Sequence, residues 1–190
     1  MLKYTLGLIK QDDQLLLLNR EKSSWMGCWN GVGGKLERGE SPEQSMYREI
    51  VEETSLEQVE LTFKGINIWS TPTGDNIGGM YLYVGELQES VPYTTPLKTE
   101  EGILDWKQYE WIMHKENRGI ATNLRSYLPL VVADERQCRL YHSVFEGENL
   151  IESFNVPLDG IWEANEGQLA AIINSYMEDY KRKTQHLQQV

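Results

Sequence analysis

Positive charge is what this chain has least of: across 190 residues, 18 Lys and Arg stand against 29 Asp and Glu, a formal net charge of -11. Proteins that grip nucleic acid neutralise phosphates with a basic surface, so this balance argues against a nucleic-acid partner. Cysteine is also scarce. Cys28 and Cys138 are the two present, far apart and not in a C-x-x-C pair. The longest apolar run, Tyr127 to Ala133, is too short to span a bilayer, and no positively charged, apolar leader stands at Met1-Leu2-Lys3-Tyr4. These absences together predict a cytoplasmic protein with reduced thiols and no membrane partner. His114, His142 and His186 lack ligand spacing and read as structural or exposed. There is no internal repeat, linker or low-complexity segment, and 40% hydrophobic with 25% charged residues is ordinary for one globular core.

What the chain does have is a dense run of carboxylates in Gly34 to Leu56. Ser41-Pro42-Glu43-Gln44 reads as an N-cap serine, a proline at the first helical position and a glutamine closing a capping box, so a helix starts near Pro42. Tyr47, Ile50, Val51 and Thr54 recur at i, i+3, i+4 and i+7 and predict its buried stripe. Glu49, Glu52 and Glu53 point away from that stripe and stack on one face, where like charges repel by roughly 0.2–0.5 kcal/mol per pair. A helix does not gain from that arrangement unless something positive sits among them. The bland alternative is a solvated acidic face. The Gly-rich approach to the helix and Arg48 beside the cluster weigh against it.

Gly34, Glu40, Arg48, Glu49, Ile50, Glu52, Glu53 and Leu56 resemble the Nudix box, G-x5-E-x7-R-E-U-x-E-E-x-G-U with U aliphatic, of the Nudix hydrolase family. One position departs: Ser55 replaces the glycine, at roughly 1–2 kcal/mol if that residue is left-handed. Trp29-Asn30-Gly31-x-Gly33-Gly34-Lys35 is similar to the matching segment of MutT-like enzymes that hydrolyse oxidised purine nucleoside triphosphates. The resemblance implies that Glu49, Glu52, Glu53 and Glu101, with the Gly33 carbonyl, bind metal, that Arg48 orients Glu49, and that Glu40 steadies the loop. It also implies substrate contacts from Thr5, Arg20, Asn30, Gly34, Lys35, Trp69 and Asn123. Several of these have ordinary readings too. Arg20 and Lys22 suit a solvated surface as well as a phosphate contact, Trp69 and Met80 suit the core as well as a wall for a base, and Asn123 suits a helix cap as well as a purine edge. Glu100 is the fallback for Glu101.

Taken in order, Tyr4–Ile9 and Leu15–Leu18 suit a hairpin, Leu61–Trp69 and Met80–Leu87 an antiparallel pair, and Gln88–Gly102 a loop. A helix follows Thr122, bent or broken at Pro129. Arg139–Phe145 and Leu150–Val156 suit a closing hairpin. Leu169, Ile172, Ile173, Tyr176, Met177 and Tyr180 mark an amphipathic helix that covers this domain or makes a homodimer with a second subunit; the tail from Lys181 is expected to fray.

The fold implied by the resemblance is α+β, a mixed or antiparallel sheet between helices. Residues 1–156 form the hydrolase domain and 157–190 its helical extension. The carboxylate set suits Mg²⁺ or Mn²⁺. The expected activity is hydrolysis of a nucleoside triphosphate to monophosphate and pyrophosphate, with 8-oxo-dGTP the first substrate to try. Alternatives are another nucleoside diphosphate derivative (a nucleotide sugar, a dinucleoside polyphosphate) or a non-catalytic nucleotide-binding regulator.

Overall fold

The computed structural model describes residues 2–88, 91–133, 137–158 and 166–187. Its elements are β1 (Tyr4–Gln11), β2 (Gln14–Arg20), β3 (Trp29–Asn30), α1 (Pro42–Thr54), β4 (Glu60–Ser70), β5 (Gly78–Glu86), β6 (Leu97–Lys98), β7 (Gly102–Gln108), α2 (Tyr109–Met113), α3 (Leu124–Val131), β8 (Arg139–Glu146), β9 (Asn149–Pro157) and α4 (Glu166–Leu187). The strands join in one sheet, ordered β6-β7-β2-β1-β5-β4-β8-β9, with β3 paired to β2. The β1–β5 and β4–β8 pairs are parallel and the remaining pairs antiparallel. The sheet is therefore mixed, as expected of the fold.

Four consecutive leucines in β2 show why the middle of this sheet is apolar on both sides. Leu16 and Leu18 enter the hydrophobic cluster under α1 and α4, while Leu15 and Leu17 enter the one under α2 and α3. A strand buried on both faces reads as a continuous apolar run rather than an alternation. The outermost strand β9 is exposed along most of its length.

Helix α1 starts as its sequence predicts. Ser41 Oγ accepts from the Gln44 N–H at 3.1 Å, and the Gln44 side chain accepts from the Ser41 N–H at 2.9 Å. Its buried stripe differs from the expected one. Pro42, Ser45, Met46, Ile50 and Thr54 face the sheet, whereas Tyr47 and Val51 remain 38% and 40% exposed. The helix is rolled so that Met46 lies over Gly7 of β1. Burying Met46 and Ile50 there contributes roughly 1.5–3 kcal/mol each. Rotation by about one residue brings Glu49 and Glu53 toward the sheet edge instead of leaving all three glutamates turned away.

Other differences are local. Gln88–Gly102 includes the short strand β6, paired with Leu104 and Ile103 of β7. The five-residue α2 lies ahead of the expected helix, which begins at Leu124 and runs two residues past Pro129. Helix α4 packs on this domain: Leu169, Ile173, Met177 and Tyr180 are buried in the cluster that holds Met46 and Ile50. Its apolar face is thereby used within the chain and is not left for a second subunit. His142, fully buried, ties the sheet to that helix, with Nε2 2.9 Å from Ser70 Oγ and Nδ1 3.3 Å from the Tyr176 hydroxyl. The helix continues to Leu187, past the point where fraying is expected; residues 188–190, like 159–165 of the extension, lie outside the described residues. The side chain of His186 does too, and His114 is exposed.

Candidate active site

Gly33 and Gly34 lie between β1 and α1; Gly33 has no room for a side chain, and one on Gly34 would have to displace the Glu49 carboxylate. A Cβ on Gly33, where φ is +144°, would collide with the Thr5 carbonyl oxygen, and one on Gly34 would strike the Glu49 carboxylate. This closeness lets the loop meet the helix. The Gly33 N–H donates to Glu53 Oε2 at 3.0 Å, and the Gly34 carbonyl accepts from the Thr5 N–H at 2.9 Å.

Arg48 organises the carboxylates. Its Nε donates to Glu40 Oε1 at 2.6 Å and its Nη2 to Glu40 Oε2 at 3.1 Å, a two-pronged pairing. Nη1 donates to Glu49 at 2.9 Å and to Glu52 at 3.1 Å, and Nη2 reaches the Lys35 carbonyl at 3.1 Å. Glu40 in turn accepts from the Glu37 N–H at 2.9 Å. Arg48 thus touches Glu49, Glu52 and Glu40, with Glu40 the principal partner. Arg48 holds the Glu40 carboxyl down to about 2 and is itself raised by Glu40.

The three helix glutamates differ in environment. Glu52 is exposed. Glu49 is partly buried and its carboxyl is raised by that burial, against the pull of Arg48. Glu53 is also partly buried, and burial pushes its carboxyl up to about 8; Glu49 and Glu101 add to the rise, while the Gly33 N–H and Arg20 oppose it. Glu49, Glu53, Glu101 and Arg20 thus share one electrostatic neighbourhood although they come from α1, β2 and the β6–β7 turn. Arg20 Nε is buried without a hydrogen-bond partner among the described residues. Glu101 forms an ion pair with Lys22, for which the sequence offered a solvated surface or a phosphate contact; no ion pair of Glu100 is seen among the described residues.

Among the described residues no three carboxylates converge tightly enough to ligate one ion as they stand. Arg48 spans Glu49 and Glu52, and Lys22 holds Glu101. The donor chemistry still fits a hard divalent cation, because the cluster is all oxygen and Glu53 is buried at the cost of its charge.

The remaining expected contacts divide between the two faces of the sheet. Thr5 shares with Gly7 the α1 side of β1; it is buried, and its Oγ1 has no partner among the described residues. Asn30 is buried opposite Leu18 of β2, its Oδ1 accepting from the Gly31 N–H at 2.9 Å, and Lys35 is exposed. Trp69 lies on the other face, half-buried against Gly78, with Tyr4 at 6.4 Å between ring centroids. Met80, half-buried, packs on the α2–α3 side. Asn123 stands at the N-terminus of α3 and does not cap it: its side chain makes no capping bond, and its buried Oδ1 has no partner among the described residues.

The NUDIX domain family model matches residues 2–130. The uncharacterized Nudix hydrolase YvcI of Bacillus subtilis is 31% identical over 99 residues, covering 52% of this chain and 61% of that protein. The oxidized purine nucleoside triphosphate hydrolase of Mus musculus is 25% identical over 153 residues, 80% of this chain and 92% of that protein. The ADP-ribose pyrophosphatase of Methanocaldococcus jannaschii is 36% identical over 72 residues, 38% of this chain and 41% of that protein. The chain thus spans less than two thirds of the first and third of these relatives. Among solved structures, the MutT protein from Bacillus halodurans superimposes with a TM-score of 0.64 at 20% identity, covering 80% of this chain and 95% of that one, a likeness of fold. With the Arg48-centred carboxylate cluster beside the glycine loop and a family match over most of its length, this chain belongs to the Nudix hydrolase family.

Proposed function

We propose that the protein is a divalent-metal-dependent nucleoside triphosphate diphosphatase that releases a nucleoside monophosphate and pyrophosphate, with an oxidised purine nucleotide such as 8-oxo-dGTP as its substrate. The observation that carries the reading is Glu53: a partly buried carboxylate that feels Glu49, Glu101 and Arg20 and accepts the N–H of Gly33, where a side chain has no room. Glu49, Glu52, Glu53, Glu101 and the Gly33 carbonyl would hold Mg²⁺ or Mn²⁺, which polarises a phosphoanhydride oxygen and acidifies a bound water. Arg48 keeps Glu40 and Glu49 in place, Arg20 meets phosphate, and Glu53, with a carboxyl near neutrality, accepts a proton. Trp69 stacks on the base, and Asn123, at the start of the helix on the same side of the sheet, meets its edge, whereas Asn30 is on the α1 side with Leu18. The reading of the purine substrate draws support from the mouse relative, whose match covers most of both chains.

A second reading, hydrolysis of another nucleoside diphosphate derivative, draws on the ADP-ribose pyrophosphatase relative. A panel of 8-oxo-dGTP, the common nucleoside triphosphates, ADP-ribose and a nucleotide sugar, assayed for phosphate and pyrophosphate with Mg²⁺ and with EDTA, separates the two. Pyrophosphate release from the triphosphates alone supports the first reading, and phosphomonoester products from ADP-ribose alone would replace it with the second. Metal-dependent turnover of any member removes a purely regulatory role.

A further inference from the structure

Helix α4 lies outside residues 2–130, the stretch that the family model matches, and its contacts extend beyond the core. Tyr180 and Lys181 reach the turn that joins β4 to β5. The Tyr180 hydroxyl donates to the Pro72 carbonyl at 3.3 Å, and Lys181 Nζ donates to Asp75 Oδ1 at 3.0 Å. The stem of Lys181 lies against Gly74, where φ is +77° and a Cβ would come within 2.7 Å of it. A further tie runs through His142, whose ring stands edge-on to Tyr180 at 4.8 Å and whose Nε2 is 2.9 Å from Ser70 Oγ.

The turn passes these contacts on because it is stapled internally. The Thr71 N–H donates to the Asp75 carbonyl at 2.9 Å, the Asp75 N–H to Thr71 Oγ1 at 3.0 Å, and the Gly74 N–H to the Thr71 carbonyl at 2.9 Å. Pro72, Gly74 and Asp75 therefore move with Thr71, two residues from Trp69. On the other arm of the turn Gly78 pairs with Trp69 and lies against its indole, where a Cβ would come within 2.4 Å of a ring carbon. Trp69 is half-buried on the α2–α3 side of the sheet, and α4 packs on the α1 side, so the helix grips the backbone that carries the indole from behind.

The Lys181–Asp75 pair is exposed, with 38% and 64% of the two side chains open to solvent, and such pairs add little to global stability. Its effect is local. With a hydroxyl on Pro72, a cation on Asp75 and the lysine stem over the glycine between them, the turn is held in one place. We propose that Tyr180 and Lys181 are positioning residues that act through the β4–β5 turn to set the Trp69 indole where it stacks on the base of the nucleotide. This rests on the nucleotide hydrolase reading above and on the part Trp69 plays in it. A platform displaced by about 1 Å loses much of what positioning gives.

The test measures KM and kcat for 8-oxo-dGTP in Mg²⁺, with a melting temperature, for the full chain as wild type, Lys181→Met, Lys181→Arg and the double variant Tyr180→Phe, Lys181→Met. Lys181→Met and the double variant are also made in a Trp69→Leu background. The expected result is a KM raised about fivefold or more by the double variant and about twofold by Lys181→Met, with kcat within about twofold of wild type and the wild-type KM kept by Lys181→Arg. In the Trp69→Leu background the same substitutions change KM by less than about twofold, because a residue that acts through Trp69 has nothing left to position. A KM shift of equal size in both backgrounds, or no shift while the wild type turns over the substrate, overturns the proposal. Failure of Trp69→Leu to fold would make the ring a core residue and overturn it as well; if only the double variant fails to fold, Lys181→Met decides by the same comparison. No turnover of any triphosphate by the wild type sinks the functional reading, and this inference with it.

Discussion

Glu53 Oε2 receives the Gly33 backbone N–H at 3.0 Å, and this contact joins α1 to the glycine loop across 20 residues of sequence. It also holds the carboxylate in a partly buried setting, where its pKa climbs to about 8. A single hydrogen bond offsets only part of the desolvation. Burial of Glu53 therefore costs stability, a cost that fits the role proposed for it.

Replacing that carboxylate separates the two effects. Glu53→Gln keeps an oxygen for the Gly33 N–H and removes the ionisable group. We expect hydrolysis to fall by about 10²–10⁴-fold, the usual scale for losing a positioned acid or base, while the melting temperature stays level or rises. Steady-state kinetics and a thermal melt on one preparation check both, and wild-type turnover in the variant would remove Glu53 from its assigned role.

Arg48→Lys tests the clamp. A lysine carries the charge but cannot reproduce the two-pronged bond to Glu40 together with the contacts to Glu49 and Lys35. The expected cost is about 1–3 kcal/mol of stability, read from urea unfolding, with activity at least tenfold lower. A fully active lysine variant would mean that charge alone matters there.

Ser55 closes α1 in the left-handed conformation, φ 60° and ψ 18°, where the family motif has glycine. Ser55→Gly relieves a strain of about 1–2 kcal/mol. For a domain of this size the melting temperature should rise by about 2–8 °C. An unchanged or lower melting temperature would show that the serine is compensated elsewhere.

His142 makes the fold sensitive to acid. Burial lowers its pKa from 6.5 to about 4, so the unfolded chain takes up this proton first as pH falls. Its contribution to stability is complete above pH 6.5 and declines through the window down to pH 4, by about 3 kcal/mol in all. In His142→Gln that part of the slope should vanish. Unfolding free energies measured at half-unit steps from pH 7 to 4 decide the matter, and parallel curves for the two proteins would refute the assignment.

Much of the site could be read directly along the chain because its cues are local. The cap at Ser41, the proline at the first helical position and the run of carboxylates lie within one stretch, and helical geometry alone puts Glu49, Glu52 and Glu53 within reach of one another. The paired strands announced themselves through apolar runs and turn clusters. The roll of α1 did not, since Tyr47 and Val51 have the same period as Met46 and Ile50, and only the contact of Met46 with Gly7 selects the buried line.

The chain's own order of residues determined its family, the helix that carries its acid groups and the hard-cation chemistry those groups suit. Tertiary structure alone decided which carboxylate is buried, that Glu40 is the main partner of Arg48, that Lys22 meets Glu101, and that Thr5 and Trp69 lie on opposite faces of the sheet. The physical reason is that burial and pairing depend on what arrives from distant segments. A carboxylate, an amide or a cation has no fixed pKa or partner until the sheet brings β1, β4, β8 and the glycine loop together around it.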